Sequence, residues 1–165
     1  MSVKKLTLLA LFTTISLAVY AIESAIPPLV PIPGIKLGLA NIITLILLKH
    51  YSLSHALSVL LARILLSTLL FGQALSLVYS LAGGLLSLLV MFFIMKLLHG
   101  RFTCLTGATG GIAHNMGQLA VAFAITATPG ILGFLPYFLL GGILTGLFTG
   151  LCADAAGRYL IPHLH

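Results

Sequence analysis

Residues 74–98 read ALSLVYSLAGGLLSLLVMFFIMKLL, an apolar run whose only charge, Lys96, stands near its end. About 20 such residues cross the hydrocarbon core of a bilayer, so this stretch is long enough to span. Runs of the same kind lie on either side, at 6–26, 53–71, 104–127 and 131–156. A shorter one occupies 35–50 and would measure about 24 Å at 1.5 Å per residue. It is either a short helix entered by a loop dipping into the membrane, or a place where the bilayer thins. The pattern predicts an all-α membrane protein: six transmembrane helices in one bundle, one integral-membrane domain over residues 1–165, with a short second helix.

The composition agrees. Hydrophobic residues make up 60% of the chain, mean hydropathy is +1.22, and only 6% of residues are charged. A soluble domain carries about 25% charge. The formal net charge of +6 comes from lysines and arginines scattered singly between apolar runs, with no basic stripe or aromatic platform. Nucleic-acid binding is therefore excluded. Lys4 and Lys5 precede an apolar stretch as in a signal peptide, but the stretch continues to Ile26 without a clean cleavage site. It reads as a retained first span. Cys104 and Cys152 lack CxxC spacing and are expected to be free thiols, with no metal site.

Charge placement gives an orientation. With the N-terminus inside, Lys4, Lys5, Lys49, Lys96, Arg101 and Arg158 fall on the cytoplasmic side, and Lys36 alone falls outside. Both termini are then cytoplasmic. No phosphate-binding P-loop is present, so the chain cannot hydrolyse ATP by itself.

Polar residues left inside apolar runs are the candidates for function. Arg63 sits near the middle of the third run, where an arginine costs about 2.5–3.5 kcal/mol on insertion scales. It either meets an anion in a ligand cavity or pairs internally with Glu23. Lys36 opens the second run in PGIKLGLAN, where Gly34 and Gly38 permit close backbone approach and a helix N-terminus favours anions. Asn41 lies five residues further on. The alternative has Lys36 snorkelling outward and Asn41 bonding a neighbouring helix. The fifth run, GATGGIAHNMGQ at 107–118, combines small residues with His114, Asn115 and Gln118. His114 and Gln118, four apart, share a helix face. Asp154 and Arg158 share the spacing of a local ion pair. Two small-residue seams, Ala10-Thr14-Ala18 and Gly142-Gly146-Gly150, suit helix packing or partner docking.

The segments PGIKLGLANI at 33–42, LVYSLAGGLLSLLVM at 77–91 and GATGGIAHNMGQLAVA at 107–122 resemble the Gx transporter family. That family is also labelled heptaprenyl diphosphate synthase component I. In size and topology it is similar to the S components of energy-coupling factor transporters, which bind substrate and rely on a coupling protein and ATPases. Their first helix often carries an AxxxA docking seam, whose register here reads Ala10, Thr14, Ala18. The resemblance implies a multi-pass protein of a bacterial cell membrane, in contact with lipid and taking up a small metabolite or vitamin; Lys36 and Arg63 outnumber Glu23 among the candidate residues, which favours an anionic one, a carboxylate or phosphate. Glu23, Lys36, Asn41, Arg63, His114, Asn115 and Gln118 would bind it, with no cofactor and no catalytic residue. The other label implies a non-catalytic subunit that supports a prenyl diphosphate synthase. Catalysis of the usual prenyl-transfer type needs clustered aspartates for Mg²⁺-diphosphate, and this chain has one Asp and one Glu.

Overall fold

The computed structural model of the chain describes residues 3–25, 36–71 and 74–159. The described residues are almost entirely helical, with no strand. In chain order they form α1 (Val3–Ser24), α2 (Asn41–His50), α3 (Leu53–Phe71), α4 (Ala74–Leu97) and α5 (Thr103–Thr126). A 3₁₀ segment, Pro129–Phe134, then leads into α6 (Leu135–Tyr159). The proline cluster Pro27, Pro28, Pro31, Pro33 and the glycine Gly34 lie outside the described residues.

α1, α3, α4 and the 3₁₀–α6 stretch are long and apolar enough to cross a membrane. This is the make-up of a membrane protein. α5 has the length, at 24 residues, but its glycines, threonines and amides leave it less apolar. It compensates by being enclosed: α4 packs along one side of it and α6 along another. α1 rests mainly on α3.

Glycine explains how α5 is enclosed. A Cβ at Gly111 would lie 2.1 Å from the Gly142 carbonyl oxygen, and one at Gly107 would lie 2.3 Å from that of Gly146. From the other side, a Cβ at Gly150 would come within 2.4 Å of the Cys104 Cα. The Gly142-Gly146-Gly150 seam is therefore spent inside the chain, backbone against backbone with α5. Gly110 meets the Met91 side chain and Gly117 the Ala82 carbonyl, so α4 approaches on a second glycine face. Among apolar surroundings, helices associate through such close van der Waals contact rather than through a hydrophobic drive.

The second helix begins at Asn41 rather than at Ile35. Gly38 stands at φ +85°, a left-handed conformation that interrupts a right-handed helix and that glycine adopts without penalty. Residues 36–40 therefore form a non-helical lead-in, and α2 has only 10 residues. At about 15 Å it cannot cross a bilayer. Ile43 to Leu47 are buried without a break, the pattern of a helix enclosed on every side.

At one end of the bundle Lys49 Nζ binds Asp154 Oδ1 at 2.5 Å and Thr103 Oγ1 at 2.7 Å, joining α2, α5 and α6. Asp154 thus pairs with Lys49 and not with Arg158, because α2 brings a lysine against the inner side of α6 while Arg158 is exposed.

Gly111→Ala should destabilise the protein by about 1–3 kcal/mol, since a methyl has no room against backbone. Gly133→Ala, with nothing near its Cβ position, should leave stability unchanged. Thermal unfolding in detergent micelles distinguishes the two, and an unshifted midpoint for Gly111→Ala would contradict the packing described.

Candidate functional site

The buried face of α1 carries Phe12, Ser16, Tyr20 and Glu23, spaced four, four and three apart. This face delivers Glu23, 4% exposed, to the lead-in of α2. The Gly38 N–H donates to its Oε1 at 2.6 Å and the Leu39 N–H to its Oε2 at 3.1 Å. Both carboxylate oxygens are thus occupied by backbone. The carboxylate sits close to the N-terminus of α2, where the peptide dipoles favour negative charge.

α5 secures the same lead-in from another side. The Lys36 N–H donates to Gln118 Oε1 at 3.1 Å, and Gln118 Nε2 lies 2.7 Å from His114 Nε2. With its oxygen accepting, the Gln118 amide presents N–H to the imidazole. His114 Nε2 is then the acceptor and the ring proton resides on Nδ1. The ring lies in a slot made by two glycines. A Cβ at Gly38 would fall 2.7 Å from His114 Cδ2, and one at Gly83 would fall 2.9 Å from Nδ1. Asn41, at the start of α2, donates from Nδ2 to Ser87 Oγ at 3.3 Å, and its Oδ1 has no partner.

Tyr20 links the cations. Lys36 Nζ stands 4.1 Å above the centre of its ring and also donates to Ser24 Oγ. The Tyr20 hydroxyl shares a 2.9 Å hydrogen bond with Ser76 Oγ. Arg63 Cζ lies 5.9 Å from the same ring centre. Arg63 is 4% exposed, yet its Nε and Nη2 make no hydrogen bond. No carboxylate of the described residues reaches it within 4.0 Å, although Glu23 remains in electrostatic range. Glu23 and Arg63 are thus electrostatic neighbours without being a contact pair.

Of the seven predicted site residues, Glu23, Lys36, Asn41, Arg63, His114 and Gln118 come together. Asn115 does not. It is turned about 100° around α5 from His114, and its Nδ2 donates to the Phe138 carbonyl of α6 at 2.8 Å. Sequence reading passed over Tyr20, Ser24, Ser76 and Ser87. Their signal was periodic: Tyr20 shares the α1 face of Glu23, and Ser76, Ser80, Gly83 and Ser87 follow one buried face of α4. On α1, Ala10, Thr14 and Ala18 are all exposed. The Thr14 hydroxyl is spent on the Ala10 carbonyl at 3.0 Å, leaving that face smooth. Among the described residues, no three His, Cys, Asp or Glu side chains gather as metal ligands would.

Fold and cluster together define an all-helical membrane protein with a polar, cation-bearing interior. A family model described as heptaprenyl diphosphate synthase component I matches residues 12–156. The chain belongs to that family. No curated protein and no solved structure matches it.

Removing the carboxylate should free the lead-in. In Glu23→Ala, amide exchange at Gly38 and Leu39 should accelerate about tenfold or more, since hydrogen bonds to a charged group contribute about 1.5–3 kcal/mol. Hydrogen–deuterium exchange read by mass spectrometry measures this. Unchanged exchange at both amides would mean that Glu23 does not hold them.

Proposed function

We propose that this chain is a membrane-embedded binding subunit for a small, anionic metabolite, resembling the S component of an energy-coupling factor importer. The chain forms one integral-membrane domain that crosses the bilayer six times, with both termini in the cytoplasm of a bacterial cell. α5 counts as a crossing because its polar face is covered by α4 and α6, and α2 crosses only with the help of its lead-in. The observation that carries the reading is Arg63. A buried guanidinium with two unpaired nitrogens is costly, and an anion relieves that cost.

Lys36, Tyr20, Asn41, His114 and Gln118 surround the binding group, and Glu23 fixes the lead-in that borders it. Transport would depend on separate coupling and ATPase subunits. The exposed Ala10-Thr14-Ala18 face of α1 suits close approach of a partner helix, since its one hydroxyl is satisfied within its own helix.

A second reading follows from the family description: a non-catalytic membrane subunit supporting heptaprenyl diphosphate synthesis. With two acidic residues in the whole chain, it would hold or deliver a lipid intermediate rather than catalyse.

Affinity purification from mild detergent, followed by mass spectrometry of bound proteins and small molecules, tests both. The importer reading expects ATPase and coupling subunits, together with an anionic metabolite whose retention falls about 10- to 100-fold in Arg63→Ala. Co-purification of a soluble prenyl diphosphate synthase supports the second reading instead. Equal retention by wild type and Arg63→Ala, with the variant inserted and folded, would overturn the site.

A further inference from the structure

Resting on the binding role just proposed, we infer that the ligand presents a single carboxylate to Arg63, gripped side-on, and not a phosphate dianion or a diphosphate. The two unpaired groups of Arg63 are Nε and Nη2. Their N–H bonds leave the guanidinium along one common edge, parallel and spaced to meet two oxygens on a single atom. A halide or a lone carbonyl would satisfy one of them. A carboxylate or a phosphate satisfies both.

Charge separates these two. The cluster holds two cations, Arg63 and Lys36, and one acid, Glu23. Both oxygens of Glu23 accept backbone N–H, the arrangement a carboxylate wants. His114 accepts on Nε2 from Gln118 and adds no charge. With Lys36 at its exposed edge, the cluster carries one net positive charge, and one negative charge on the ligand balances it. A dianion leaves a surplus in surroundings where uncompensated charge is expensive. The Lys36 charge is already in that sum, held at an exposed position over the Tyr20 ring and against Ser24. The other acid, Asp154, is matched by Lys49 elsewhere in the bundle and does not enter the count.

The full chain in lipid nanodiscs, titrated calorimetrically with hexanoate, hexyl phosphate and geranyl diphosphate, tests the inference. Hexanoate should bind at least about tenfold tighter than either phosphorylated probe. Arg63→Lys keeps the charge but loses the fork, so it should weaken hexanoate by about tenfold or more. Glu23→Gln raises the net charge of the cluster by one and should shift the preference toward hexyl phosphate by about tenfold. Should that variant fail to fold, Lys36→Met removes the surplus charge and should weaken hexanoate by a similar factor.

Tighter binding of hexyl phosphate or geranyl diphosphate to the wild type overturns the carboxylate assignment while the anion site stands. A preference indifferent to the Glu23 and Lys36 changes overturns it as well. If none of the three probes binds the folded wild type, or if binding ignores Arg63→Lys, the site itself is refuted.

Discussion

The carboxylate of Glu23 is bonded to backbone, and the arrangement of the polar interior follows from that. By accepting the Gly38 and Leu39 amides it fixes the non-helical lead-in, and the lead-in fixes where α2 begins. A helix of 10 residues has little hydrogen-bonding cooperativity of its own. Its position comes from burial and from the two side chains, Glu23 and Gln118, that hold the segment before it. The carboxylate lies on the two amides of the lead-in, and among the described residues no carboxylate comes within 4.0 Å of the Arg63 guanidinium.

That arrangement gives the interior its character. Lys36 is quenched by Tyr20 and Ser24, His114 by Gln118, and Glu23 by backbone. Within the cluster the residual hydrogen-bonding capacity lies on Arg63, on Asn41 Oδ1 and on His114 Nδ1. Buried polar groups are normally satisfied, so three exceptions within one cluster direct attention to a missing partner. The glycine faces of α5 make the cluster possible. They bring α4 and α6 to backbone contact, which encloses a helix otherwise too polar for apolar surroundings.

Family membership and site chemistry speak to different properties. The match over residues 12–156 places the chain among proteins described by a biosynthetic activity, whereas its own side chains lack the acidic clusters that such catalysis uses. The binding subunit proposed above would be compatible with both.

By itself the sequence determined the helical, membrane-type architecture, because apolar run length and charge scarcity are local properties. The third run, 53–71, coincides with α3, and Arg63 was legible as the costly residue from its place in that run alone. It also showed His114 and Gln118 on one face, since helical spacing is a local rule. The tertiary structure decided the start of α2, which depends on Gly38 at φ +85° and on an acid 15 positions earlier in the chain. It decided that Asp154 meets Lys49 across the bundle, and that Asn115 serves α6 while its neighbour His114 serves the cluster. Those outcomes turn on how each helix is rotated and how closely it approaches the next. Here that approach is set by glycines meeting backbone, a contact that residue spacing suggests but whose partner only packing selects.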